Sequence, residues 1–221
     1  MQKAIFNIQN ETDFERCALQ VFKHQFENNK VYRSFCDLLY IHPSDVKEVA
    51  QIPFLPIQFF KTHQVLSTNQ SVQETFTSSG TTGAQVSKHL VADLSWYETS
   101  YTRAFEHFYG SVKDYTVLGL LPNYLEREGS SLIYMVNDFI HKSNNPKSGF
   151  YLDTLSELTK TLIALDLKGE KVLLIGVTFA LLDLIESQTF SLKNTVIMET
   201  GGMKGRRKEL IREELHEILA A

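Results

Sequence analysis

Lys171-Val172-Leu173-Leu174-Ile175-Gly176-Val177 is a near-continuous apolar run of strand length. A strand with one wet face alternates apolar and polar residues, whereas a strand covered on both faces has no such need. This run therefore reads as the interior strand of a sheet with helices above and below. Its neighbours supply those helices. Upstream, Leu155, Leu158, Leu162 and Leu165 keep helical spacing behind Thr154-Leu155-Ser156-Glu157, which has the form of a capping box. Downstream, 179–186 reads as a helix and Thr195–Glu199 as a further strand. Tyr115–Leu121 is a second buried strand, stopped by Pro122, and a helix over 129–142 follows it. Gly149–Leu152 adds a short strand and 205–219 a final amphipathic helix. Strands alternating with helices of this length predict a layered α/β fold with a mainly parallel β-sheet flanked by helices. In such sheets ligands gather at the carboxyl ends of the strands.

The first fifty residues read differently. Phe14, Cys17, Ala18, Val21 and Phe22 share one helical face behind Thr12-Asp13-Phe14-Glu15, another run with capping-box form. A second helix is expected over 31–39, stopped by Pro43. Ile52-Pro53-Phe54-Leu55-Pro56-Ile57 holds two prolines, so it is expected to be an extended connector whose apolar residues dock on the core. A short helix from Phe59 and a short strand over 64–67 follow. The expected division is an amino-terminal helical segment, 1–50, and an α/β region, 51–221. Within the latter, Asp93 or Ser95 caps a helix in which Leu94, Tyr97, Tyr101, Ala104, Phe105 and Phe108 hold helical spacing.

Composition narrows the function classes. Hydrophobic residues make up 43% and charged residues 22% of the 221 residues, which suits a globular core. A net charge of −4 gives no electrostatic footprint for nucleic acid. The basic cluster Lys204, Arg206, Arg207 and Lys208 runs into Glu209, Glu213 and Glu214 and reads as a solvated helix face. No apolar run is long enough to span a bilayer, and the start of the chain lacks secretory-signal features, so a cytoplasmic address is expected. Cys17 and Cys36 fall on predicted helices among apolar neighbours, and the seven histidines show no zinc spacing, so no structural metal site is expected.

Thr77-Ser78-Ser79-Gly80-Thr81-Thr82-Gly83 carries the chemistry. It lies between two extended stretches, 73–76 and 88–92. Glycine tolerates positive φ, so the run can curl tightly and aim N–H groups and hydroxyls at phosphate oxygens. The Gly-x-x-x-x-Gly-Lys-Ser/Thr spacing of the common nucleotide loop is absent. A polar turn is the bland alternative. Two further loops leave the carboxyl ends of predicted strands. In 121–131, Gly129-Ser130-Ser131 opens a helix whose free N–H groups could meet an anion, or Ser130 simply caps it. In 199–206, Gly201-Gly202 follows a strand and either lets a flat ligand approach the backbone or makes a tight turn.

Taken together, TSSGTTG at 77–83, LPNYLEREGSSLIYMV at 121–136 and ETGGMKGRRKELIREELH at 199–216 resemble the acyl-protein synthetase family typified by the LuxE component of bacterial bioluminescence. That family is similar to the phenylacetate–CoA ligases within the adenylate-forming superfamily. The resemblance implies ATP and Mg2+ as cofactors, a carboxylic acid (fatty or aryl) as substrate, and a thiol acceptor, either a protein cysteine or coenzyme A. It implies that Ser78, Ser79, Gly80, Thr81, Thr82 and Gly83 hold the β- and γ-phosphates and that Gly201 and Gly202 border adenine. Superfamily loops often continue Gly-x-Pro-Lys, whereas this one reads Gly83-Ala84-Gln85-Val86-Ser87-Lys88, which leaves Lys88, in a shifted register, as the nearby ammonium. The family's later aromatic-Gly-x-Thr-Glu segment, ribose-binding Asp and lysine-bearing carboxy-terminal domain have no match here, nor do Cys17 and Cys36 match its acyl-accepting cysteine. The chain is therefore expected to be the amino-terminal portion of a longer enzyme, or a natural truncation, poorly active alone and without an assignable catalytic residue. The alternative is a non-catalytic nucleotide- or acyl-binding module derived from the same family. The absence of Gly-x-Ser-x-Gly argues against a nucleophile-elbow hydrolase.

Overall fold

The computed structural model describes residues 2–78, 85–121, 129–201 and 210–220. They form two compact units, Met1–Tyr101 and Thr102–Ala221, and the division falls inside helix α5, Leu94–Tyr109.

The second unit carries the expected parallel sheet. Its strands are β3 (Thr116–Leu120), β4 (Gly149–Phe150), β5 (Val172–Gly176) and β6 (Thr195–Glu199), ordered β4-β3-β5-β6 with every pair parallel. Helices α6 (Ser131–Ser143), α7 (Leu155–Leu167) and α8 (Thr178–Ser187) alternate with them, and α9 (Arg212–Ala220) ends the chain. Every residue of β3 and β5 is buried, as the unbroken apolar runs require. Leu158, Leu162 and Leu165 of α7 are wholly buried, as are Val117, Leu118 and Leu120 of β3. Gly119 and Gly176 let the layers close: a Cβ at Gly176 would sit 2.9 Å from Leu181, and one at Gly119 the same distance, 2.9 Å, from Phe150. Asp166 at the end of α7 fixes the entry to β6, its Oδ1 accepting from the backbone N–H of Asn194 at 2.7 Å and of Lys193 at 2.9 Å. Because the chain passes from β3 to β4 on one side and then to β5 on the other, the connections diverge between β3 and β5. That divergence is where an open α/β sheet leaves a crevice at its carboxyl edge.

The first unit is built from helices and one hairpin. Helices α2 (Glu11–Asn28) and α3 (Lys30–Leu38) follow the short α1 (Gln2–Ile5). Asn29 separates α2 from α3 and serves both. Its N–H donates to Gln25 O at the end of α2, while its Oδ1 accepts from Tyr32 N at 3.1 Å and caps α3. Buried at 3% exposure, it spends its remaining donor on Ser67 Oγ at 3.2 Å. Phe22, Phe26, Tyr32, Cys36 and Val46 form the core here, with Ile52 and Leu55 packed against it. The proline-rich stretch is the expected extended connector. Ile52 and Leu55 turn inward, Phe54 and Ile57 turn outward, and Tyr32 Oη donates to Pro53 O at 2.6 Å. After α4 (Phe59–Thr62), strands β1 (Glu74–Thr77) and β2 (Lys88–Val91) pair antiparallel, with Thr77 opposite Lys88.

Three local expectations differ. Residues 64–67 form no strand. Helix α2 begins at Glu11, with its cap two residues before Thr12, because Asn10 accepts from Asp13 N at 2.9 Å and is the stronger cap. Thr154 precedes α7 without a side-chain cap bond; its carbonyl instead accepts from Glu157 N and Leu158 N.

Candidate functional site

The glycine-and-hydroxyl run springs from the β1–β2 hairpin, and its neck is well defined. Ser78 N–H donates to Ser87 O at 3.1 Å, and Ser87 N–H donates to Ser78 Oγ at 3.0 Å. The Ser78 hydroxyl thus accepts from the backbone and keeps its own proton to donate. One turn of the neck away, Gln85 Nε2 donates to Lys61 O at 2.7 Å and ties the loop's return to α4. Lys88, exposed and opposite Thr77, stands at the same end of the hairpin. Next to it His89 lies flat on Phe60, centroids 5.9 Å apart and planes 1° apart. Ser78 and Lys88 thus fall at the same end of the hairpin, Lys88 opposite Thr77 and Ser78 bonded to Ser87; Ser79, Gly80, Thr81, Thr82 and Gly83 lie outside the described residues.

Beside the hairpin the first unit opens into a cleft of about 1440 Å3. Helix α2 contributes Phe14, Ala18 and Val21; the connector contributes Phe54; β2 and the start of α5 contribute Leu90 and Trp96. Among the described residues that line it, none is Lys or Arg and Asp93 is the one carboxylate. Tyr32 reaches the cleft from below. Burial, and then the neighbouring Cys36, push its phenol well above the ordinary range, so it remains a neutral donor to Pro53. Burial likewise pushes the Cys36 thiol up, partly offset by its bond with Tyr32. A buried thiol held protonated is a poor nucleophile, in keeping with a packing role.

In the second unit the carboxyl ends of β5 and β6 are laced together. Thr200 N–H and Thr200 Oγ1 both donate to Gly176 O, at 3.0 and 3.1 Å, and Thr178 N–H donates to Gly201 O at 3.3 Å. Glu199 turns back across this edge, its Oε1 accepting from the buried Thr178 hydroxyl and from Gly201 N–H at 2.6 Å. Gly201 has φ +75, a conformation side chains rarely adopt, and no described atom lies within 4 Å of where its Cβ would be. That conformation is the one a tight turn needs, which is one of the two readings open for Gly201; Gly202 lies outside the described residues. Ser130 caps α6 with its Oγ, 3.4 Å from Ile133 N, and residues 122–128 lie outside the described residues. Sequence reasoning passed over the Thr178–Glu199 bond, since its members are 21 residues apart.

Among the described residues no cluster of three His, Cys, Asp or Glu could cage a metal ion. Nor is any helix among them long and apolar enough to cross a membrane.

Comparison with known proteins bears on the first unit above all. The family model described as "Acyl-protein synthetase, LuxE" matches residues 4–105. A relative from Photorhabdus luminescens named long-chain-fatty-acid–luciferin-component ligase is 30% identical over 70 residues, which is 31% of this chain and 60% of that protein. The chain thus spans less than two thirds of that relative's length. No solved structure matches the chain. The matched span contains the hairpin, its glycine-and-hydroxyl run and every residue lining the cleft. Over residues 4–105 the chain is similar to the LuxE acyl-protein synthetase family.

Proposed function

We propose that this chain takes part in ATP-dependent activation of a carboxylic acid, followed by transfer of the acyl group to a thiol. In the first step a carboxylate oxygen attacks the α-phosphorus of ATP, the bond to the β-phosphate breaks, and an acyl-adenylate and pyrophosphate result. In the second a thiolate attacks the acyl carbon and AMP leaves with the bonding pair.

The observation that carries this reading is the hairpin neck. Antiparallel strands carry the two ends of the run, pinned at Ser78 and Ser87 by reciprocal bonds, with Lys88 at the same end of the hairpin. A segment pinned at its base loses less freedom on gripping a ligand, and donors held in place would need little reorganisation as charge develops on the leaving pyrophosphate. Ser78 would donate its hydroxyl proton to a phosphate oxygen, Ser79 to Gly83 would add N–H and hydroxyl donors, and Lys88 would supply a point charge. Gly201 and Gly202 would border the adenine. Mg2+ fits as a companion of the triphosphate, because this ion is usually held by phosphate oxygens, waters and one or two carboxylates rather than by a protein cage. Bound there, it would neutralise charge on the leaving group.

The test pairs ATP–pyrophosphate exchange, run with Mg2+ and a panel of fatty and aryl acids, with calorimetric titration of ATP into the chain. Acid-dependent exchange or saturable ATP binding, each lost in Gly80→Asp, is expected. Absence of both, or a Gly80→Asp protein that behaves as wild type, would overturn the reading.

A further inference from the structure

We infer that Lys61 of α4 supplies a second ammonium to the phosphate-binding run, with Gln85 as the residue that positions it; this rests on the acid-activating reading above. The need is electrostatic. A triphosphate carries several negative charges, and neutral hydroxyl and N–H donors orient its oxygens without neutralising them. Strands β1 and β2 hold one ammonium, Lys88, at the end where the run departs, and one carboxylate, Glu74, at the opposite end. Any further cation has to come from an element fastened to the hairpin.

Helix α4 is that element. Phe59 meets Phe35 edge-on, with centroids 6.0 Å apart, and Phe35 packs against the first unit's core. Phe60 lies flat against His89, the residue after Lys88. Gln85, where the described chain resumes after the run, donates from Nε2 to Lys61 O at 2.7 Å. Phe59 and Phe60 are half-buried by these contacts and Lys61 is left exposed. The backbone of Lys61 is thus held at the end of the run, and a flexible four-carbon stem carries its charge toward a phosphate oxygen. That charge is uncommitted. Arg16, Lys23 and Arg33 of the same unit each meet a carboxylate on their own helix, whereas the Lys61 ammonium pairs with no carboxylate among the described residues. The sequence departs from the Gly-x-Pro-Lys pattern at this same place. Gln85 stands at the proline position, and its bond to α4 restrains the chain where a fixed φ otherwise would. Val86 stands at the lysine position, so the charge is supplied from α4 instead.

Calorimetric titration of ATP, and separately of inorganic tripolyphosphate, into the full chain tests this. Wild type should bind both anions. Lys61→Met should weaken both by about three- to tenfold, while Lys61→Arg should stay within about threefold of wild type. Added salt should erode wild-type binding more steeply than binding by Lys61→Met. Lys47→Met removes an exposed lysine of the same unit outside α4 and the hairpin, and should leave binding unchanged. Gln85→Ala should weaken binding several-fold, and by less in the Lys61→Met background, because the two act as one unit. Urea unfolding of Lys61→Met should match wild type, since an exposed, unpaired side chain is removed. Unchanged affinity in Lys61→Met, an equal loss in Lys47→Met, or losses at Gln85 and Lys61 that simply add would overturn the inference. So would a wild-type chain that binds neither anion. The two readings part cleanly. ATP binding or pyrophosphate exchange that Lys61→Met leaves intact sinks this site and leaves the activity standing. Tripolyphosphate binding that depends on Lys61, without ATP binding or exchange, sinks the activity and leaves the site.

Discussion

Strand β5 and the walls of the first unit's cleft draw on the same side chains and reach opposite ends of burial. Val172, Leu173, Leu174 and Ile175 keep at most 1% of their surface in water, whereas Phe54 keeps 76% and Phe14 50%. In the sheet, apolar side chains are consumed by one another. Around the cleft they are left with an unfilled face. Surface buried within the fold contributes to stability, and surface left open contributes when a ligand covers it. The two regions should therefore answer truncation in different assays.

The largest effect is expected in β5. Leu174→Ala removes a side chain that is 1% exposed and surrounded on both faces of the sheet. Lost transfer energy plus the cavity left behind should cost about 2–5 kcal/mol in urea unfolding. A loss under about 1 kcal/mol would mean the sheet is as loosely filled as the cleft, and the comparison would break.

Next comes the polar lacing at the sheet's carboxyl edge. Thr178→Val keeps the shape of a buried residue but leaves Glu199 with Gly201 N–H alone of its two described donors. Hydrogen bonds to charged groups are worth about 1.5–3 kcal/mol, and the partial exposure of Glu199 lowers the expected loss to about 1–2 kcal/mol. Thr178→Ser should recover most of it. In the first unit, Asn10→Ala removes the cap of α2, the helix that forms one wall of the cleft, and should cost about 1 kcal/mol. The same substitution at Thr12, inside the helix, should cost less than that at Asn10, since the cap bond runs from Asp13 N to Asn10.

How much of this was legible in the sequence depended on whether a feature is local. The runs at 116–120 and 172–176 fall on observed strands because a strand covered on both faces must be apolar along its length, while 195–199 is a strand that is only partly buried. The extended stretches on either side of the glycine-and-hydroxyl run, 73–76 and 88–92, were legible and fall on β1 and β2, whereas their antiparallel pairing is a finding of the structure. Caps were less secure. Asn10 and Thr12 are both able to cap, and which one does so is decided by a bond that the residue types do not specify. The supposed strand at 64–67 belongs to the cleft wall, where Val65 and Leu66 line the opening without pairing. The cleft itself left no signal, because its lining, apolar and polar alike, is gathered from segments scattered between Ile5 and Trp96. Periodicity tells which side of a helix is apolar, not whether the protein fills the space that side faces. Thr178 and Glu199 escaped notice likewise, their meeting being a product of the β5–β6 pairing.

The smallest expected effect on stability sharpens the comparison most. Phe54 is larger than Leu174, so a reading by side-chain size alone would give its truncation the greater cost. Its position in the connector says otherwise: Ile52 and Leu55 face the core, Tyr32 holds Pro53 by its carbonyl, and Phe54 projects outward. Phe54→Ala removes little that the fold has taken from water and should change unfolding free energy by less than about 0.5 kcal/mol. Urea midpoints in plain buffer measure this directly, and Phe54→Ala is expected to match wild type while Leu174→Ala falls well below it. If Phe54→Ala is destabilised as much as Leu174→Ala in plain buffer, the outward wall is structural core, and the contrast between the two units fails.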